Sequence, residues 1–214
     1  MKIKWLWRVL LVSVFAYVLL AGGDVLAQAR KSGASAAAAG AATPVVGKEG
    51  ITIKKFELNA NIKAPDYSSN ANEATLIPTP WARVLVKFDV NTEAEWLDQL
   101  EMKFYVLVKS QKTGVYTVLT GAFVYAEVPR GRNHQVAVYL RPRTVERFGV
   151  PEQAGVEINL RGETAAVGSA PGSSRWWQNP QVANLKSQEG YILDRSQSPF
   201  ALIAPDNYEI LRGK

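Results

Sequence analysis

The sequence has no cysteine and a single histidine among its 214 residues. Without cysteine there is no disulfide framework, zinc ribbon, iron–sulfur site, lipoprotein anchor or thiol nucleophile. With His134 alone, a histidine-rich metal cluster is excluded, and any Ser–His–Asp triad has to use that one imidazole. Also missing are a G-x-S-x-G nucleophile elbow, a phosphate-cradling G-x-x-x-x-G-K-[ST] and a D-x-[DN]-x-[DN]-G calcium loop. No catalytic residue, metal or cofactor is therefore expected. What is present is the composition of an ordinary folded protein, with 47% apolar residues and 25 Lys+Arg against 19 Asp+Glu, a formal charge of +6.

The chain opens with Lys2, Lys4 and Arg8, followed by an apolar run from Val9 to Ala21 and by Ala27-Gln28-Ala29. A charged start, a short apolar stretch and a small-x-small site are the three parts of a secretory signal peptide, so residues 1–29 are read as one, cleaved after Ala29. The run is shorter than the roughly 18–20 apolar residues that span a bilayer, so no integral span is expected after cleavage. The Gly-Phe junction and following glutamate of a type IV prepilin are absent, which separates the chain from major pilin subunits. Cleavage removes three basic residues and Asp24, leaving +4. That mild excess carries no expectation of nucleic-acid binding.

Residues 30–47, RKSGASAAAAGAATPVVG, form an Ala/Gly/Ser-rich linker with too few large apolar side chains to pack. From residue 48 to 214 the hydrophobic period becomes two. Val84, Val86, Phe88 and Val90 alternate with Arg83, Lys87 and Asp89, and Leu100, Met102, Phe104, Val106 and Val108 with Glu101, Lys103 and Lys109. Val136, Val138 and Leu140, then Val156, Ile158 and Leu160, repeat the pattern. Such segments are strands with one apolar and one wet face.

In the first strand, 51–58, Ile51 and Ile53 are odd while Phe56 and Leu58 are even, so a bulge at Lys54-Lys55 is predicted. Gly121 is expected to bend the strand within 114–127 toward a second sheet. Turns are expected at Gln111–Gly114 and Val128–Gly131, a short helix at 143–148 and a long loop at 164–174. Further strand candidates are 191–194, 200–204 and 208–212. The fold class is all-β: an immunoglobulin-like antiparallel β-sandwich with one short helix, with jelly-roll topology left open. An outer-membrane barrel is disfavoured, because aromatic residues do not recur at both strand ends.

Four residues are candidates for partner binding. Trp176 and Trp177 follow a Gly/Ser-rich stretch, and in a strand adjacent indoles would face opposite sides. Either one is exposed to stack on a sugar or anchor an interface, or both finish the sandwich edge. Arg130 and Arg132 head an arginine-rich stretch that continues at Arg141, Arg143 and Arg147. A ten-residue strand holds these groups apart, so they form either two charged rims or a contact for an anionic surface. Glu93, Glu95, Asp98 and Glu101 are read as a solvated rim and His134 as an exposed turn residue.

The stretches WARVLVKFDVNTEAEWLDQLEMKFYVLV (81–108) and SPFALIAPDNYEILR (198–212), with the signal peptide and Ala-rich spacer, resemble a family of verrucomicrobial exported proteins. Members are described as pilus-like and are associated with type IV pilus and secretin loci. The resemblance implies an immunoglobulin-like fold, a non-enzymatic role, and residence in the periplasm, at the outer membrane or outside the cell. The partner it implies is an envelope, pilus or secretin protein. A lectin-like glycan-binding role through Trp176 and Trp177 is the alternative.

Overall fold

Alternation places one row of side chains of each strand in a shared core, and the strands sort into two facing sheets. The computed structural model describes residues 50–65, 80–172 and 175–212. The expected signal peptide and linker lie outside them. β1 (Ile51–Ile62), β2 (Trp81–Val90), β3 (Trp96–Leu97), β4 (Leu100–Lys109), β5 (Tyr116–Ala126), β6 (Val128–Pro129) and β7 (Gly131–Leu140) precede helix α1 (Pro142–Phe148). β8 (Val150–Leu160) and β9 (Glu163–Ala170) follow. A C-terminal segment then carries the single-turn helix α2 (Pro180–Ala183), β10 (Lys186–Glu189), β11 (Ile192–Asp194) and β12 (Ile210–Leu211).

One sheet has the order β1-β2-β7-β11, and the other β10-β5-β4-β8-β9 with β12 also beside β5. Among the long strands, the first, second and fifth thus share one sheet, while the fourth, third, sixth and seventh share the other. This is the A-B-E and C′-C-F-G arrangement of an immunoglobulin-like Greek key, which resolves the choice against a jelly roll. β11 takes the place beside strand E that strand D occupies in constant-type domains. The facing rows Val84, Val86 and Phe88 of β2 and Met102, Phe104 and Val106 of β4 are fully or almost fully buried.

The bulge in β1 lies where the phase change predicts it. Ile53 pairs with Phe88 and Lys55 with Lys87, so Lys54 is the extra residue, and Ile53 and Phe56 both reach the core. The helix at 143–148 is α1, extended by Pro142, whose fixed φ suits a first helical turn.

Several expectations are corrected. The segment 164–174 is mostly strand: β9 pairs with β8 from Glu163 to Ala170. Its Ala, Gly and Ser residues are small because β9 lies close against β1; a Cβ at Gly168 would lie 3.0 Å from Ile53 Cδ1. β5 pairs with β4 without a break from Tyr116 to Tyr125 and stays in one sheet. Gly121 instead admits β11, since a Cβ there would lie 3.1 Å from Ile192 Cβ. Val128 and Pro129 form β6 against Leu97 and Trp96 rather than a free turn. Residues 200–204 form turns instead of a strand, and β10 runs parallel to β5, so the sandwich is not wholly antiparallel. α2 is a helix beyond the one expected.

After β9 the chain becomes a strap. Residues 176–185 lie on the outer face of the β5-β4-β8-β9 sheet, with Trp176 and Trp177 clustered with Leu107, Val118 and Val167. β10 then pairs with β5, β11 crosses to pair with β7, and Phe200 packs with Leu85, Ala137 and Tyr139 on the outer face of the other sheet. β12 finally returns to β5 at Tyr125 and Ala126. The outer apolar row of each sheet is therefore covered by the chain itself.

Candidate functional site

The strap begins at the tryptophan pair. Residues Trp176–Gln178 form a 3-10 turn, and both indoles are only 8% exposed. Because the segment is not a strand, adjacent side chains need not face opposite sides, and the two rings meet edge to face at 5.5 Å. Trp177 stacks flat on Tyr105, with centroids 4.9 Å apart and an interplanar angle of 7°. Its Nε1 donates to Glu157 Oε1 at 2.9 Å, and Trp176 Nε1 donates to the Ala154 carbonyl at 3.3 Å.

Glu157 also accepts from Tyr105 Oη at 3.1 Å and Gln178 Nε2 at 3.2 Å, so one carboxylate gathers three donors. Of the two arrangements open for the pair, the structure shows the one in which both indoles are buried. Both rings belong to the strap's anchor, and neither offers a face for stacking a sugar.

Burial and the neighbouring Glu157 charge push the Tyr105 hydroxyl up to about 12. Burial also raises Tyr139 to about 12, and it raises Tyr125, which donates to Asp194 Oδ2 at 3.2 Å, well above the ordinary 10.0. All three phenols bind strap residues or lie beneath them. The raised values of Tyr105 and Tyr139 favour the folded state fully below pH 10.0, and that contribution is lost as pH rises through about 12; Tyr125 acts in the same direction. Alkaline titration followed by phenolate absorbance should show a late tyrosine group whose ionisation coincides with loss of the circular-dichroism signal.

Arg130 and Arg132 are both exposed, at the end of the sandwich where β1, β2 and β7 meet. They line a groove of about 540 Å3 with Thr52, Lys54, Asp89 and Asn91. The Arg130 amide donates to the Glu95 carbonyl at 2.7 Å, which fixes the turn. Arg141 and Arg143 lie beyond the other end of β7, so the two-rim arrangement holds. None of the groove residues touches the indoles, and the four candidate residues do not converge on one site.

His134 is corrected from an exposed turn to a buried strand residue. It is 8% exposed on β7, paired across from Phe88, with its ring 5.3 Å from the Phe88 ring. Its Nδ1 lies 2.7 Å from Glu209 Oε1 of the strap, while its buried Nε2 has no hydrogen-bond partner. The pair ties the strap's last turn to the core, as does the Glu209 amide, which donates to the Gln135 carbonyl at 3.0 Å. No nucleophile bonds the imidazole. Among the described residues no group of three or more His, Cys, Asp or Glu is placed to hold a metal ion.

Two surfaces that sequence patterns did not single out stand exposed. Leu202 is 78% and Ile203 46% exposed at the tip of the strap turn. This tip is held from beneath, because Phe200 stacks on Tyr139 at 4.6 Å and Arg195 donates to the Ile203 carbonyl while lying 4.4 Å over the Tyr208 ring. Trp96, on β3, is 55% exposed, the most exposed indole among the described residues. Trp96 sits within the run of Glu93, Glu95, Asp98 and Glu101 that reads as a solvated rim, so the sequence does not single it out. Among the described residues no helix is long and apolar enough to cross a membrane.

These features define an immunoglobulin-like β-sandwich whose own C-terminal strap packs on the outer apolar residues of both sheets. A protein-family model matches residues 45–214, and the chain belongs to that family. Three solved chains also match, among them the crystal structure of a protein from the verrucomicrobe Akkermansia muciniphila. That match has a TM-score of 0.62 and 24% identity, and covers 77% of this chain and 93% of that chain. At that identity the likeness is one of fold. No curated protein matches in sequence.

Proposed function

We propose that the protein is a non-enzymatic, exported envelope module that binds a protein partner of type IV pilus or secretin-type machinery, acting in the periplasm, at the outer membrane or outside the cell. The observation that carries this reading is the apolar tip Leu202–Ile203, held from beneath by the Phe200 and Arg195 contacts, on a sandwich whose outer apolar clusters are covered by its own strap. Large apolar side chains presented on a fixed backbone bind proteins well, because little conformational entropy remains to be lost on docking. The resemblance of 81–108 and 198–212 to exported pilus-like proteins supports the class of partner, and the second stretch contains the tip itself.

The test is affinity isolation from envelope fractions with the native protein and with a Leu202→Asp/Ile203→Asp variant. The expected result is enrichment of a pilus or secretin component by the native protein and its loss with the variant. Recovery of no such component, or equal recovery by both proteins, would overturn the proposal.

A further inference from the structure

The strap covers only part of the outer face of the β5-β4-β8-β9 sheet. Where it leaves off, Glu101 of β4, Val124 of β5 and Asn159 of β8 floor an open cleft of about 480 Å3. One wall is the segment from Trp96 to Gln99, and the other is the β8–β9 turn at Arg161-Gly162. We propose that this cleft is a binding site for a short neutral oligosaccharide. The proposal goes beyond the partner-binding reading and does not depend on it.

Three features carry the assignment. Trp96 presents an indole to solvent, 55% exposed. It is not a loose side chain: β3 pairs with β6, placing Trp96 across from Pro129, and Leu97 beside it is buried. A pyranose ring has an apolar face of C–H groups carrying partial positive charge, which suits the negative face of an indole.

The floor supplies hydrogen bonding that is already oriented. Asn159 is buried, and its Nδ2 donates to Glu101 Oε2 at 3.2 Å, while Lys103 Nζ lies 3.6 Å from Glu101 Oε1. Sugar hydroxyls both donate and accept, so an amide and a carboxylate held side by side can engage neighbouring hydroxyls of one ring. Because strands hold the floor and a tight turn holds one wall, little ordering is needed on binding. In that turn Arg161 has φ 52° and Gly162 φ 85°, a left-handed pair that fits a two-residue hairpin.

Charge selects among sugars. Asp98 and Glu101 line the cleft with Arg161, and Lys103 Nζ lies 3.6 Å from Glu101 Oε1, so the formal charges of these four groups cancel. The cleft thus holds no net positive charge to recruit a carboxylated or sulfated sugar, which leaves hydroxyl-rich neutral ligands as the match. The volume lies within the range of about 300–1,000 Å3 typical of small-molecule sites.

The experiment is an array of neutral, sialylated and sulfated oligosaccharides probed with the native protein, followed by titration of the best neutral ligand. Trp96→Ala, Glu101→Gln and Lys112→Ala are compared with the native protein, with circular dichroism confirming that each is folded. We expect neutral ligands to be retained, Trp96→Ala and Glu101→Gln each to weaken binding by about tenfold or more, and Lys112→Ala, in the β4–β5 turn, to bind as the native protein does. An array on which no neutral oligosaccharide is retained, a Trp96→Ala variant that binds unchanged, or binding confined to acidic glycans and abolished by salt would each overturn the assignment. Since position 202 is untouched in every variant, these outcomes leave the partner-binding test intact.

Discussion

Replacing Trp177 by alanine is expected to lower folding stability by about 3–5 kcal/mol, the cost of deleting a large buried aromatic and leaving its cavity. Trp177 loses its stack on Tyr105 and its donation to Glu157, and Trp176 loses the ring against which it packs. The loss should be local before it is global. Stretches 176–185 and 186–189 are tied to the sandwich mainly through this cluster and the short parallel pairing of β10, so amide exchange there should accelerate first. Urea denaturation monitored by fluorescence measures the stability change, and limited proteolysis locates it. Cleavage confined to the strap is the expected pattern.

The second large effect comes from adding atoms instead of removing them. Gly155 lies in the middle of β8, and a Cβ there would sit 2.1 Å from Trp177 Cζ3 and 2.5 Å from Cε3. Gly155→Ala should therefore force the indole out of its seat at a cost of about 1–3 kcal/mol, as overpacking does elsewhere. In the Trp177→Ala background the methyl group has room, and the same substitution should be close to neutral. The coupling in this double-mutant cycle is then expected to be about 1–3 kcal/mol. Additive costs would mean that Gly155 serves the backbone of β8 rather than the strap.

The Gly155 site shows why the sandwich was more legible in the sequence than the strap. Alternation over 83–90, 100–109, 136–140 and 156–160 identified strands that are half-buried in one shared core, and the phase change at Lys54-Lys55 located the bulge. Periodicity works there because one face of each strand is wet. β9 was hidden because its packing against β1 demands Ala, Gly and Ser, the same composition that marks a flexible loop.

His134 was missed for a related reason. It shares the even phase of Val136, Val138 and Leu140, but its polar neighbours Arg132, Asn133 and Gln135 read as a turn. Its partner Glu209 lies 75 positions further on, in the strand candidate 208–212, and no local rule links the two. The strap as a whole behaves in this way. Its residues are chosen by the outer surfaces of two sheets, so Trp177 answers to Tyr105, Glu157 and Gly155, and Phe200 to Tyr139 and Trp81.

The same coupling bears on the proposed partner-binding tip. Outer sheet faces of an immunoglobulin-like module are available for docking, and here the strap covers their apolar clusters and exposes Leu202 and Ile203. On the proposed reading, partner binding and strap integrity are linked. Loosening the Phe200 anchor should weaken partner binding even though Phe200 itself is buried.

The central claim, that the protein docks a pilus or secretin component through the strap tip, is tested most directly by photo-crosslinking in intact cells. A photoreactive amino acid at position 202 is compared with one at position 115, where Val115 is also exposed but lies in the β4–β5 turn. The account predicts a discrete crosslinked product at position 202 containing a pilus or secretin protein, and none at position 115. Equal products at both positions, or no envelope partner at position 202, would contradict it.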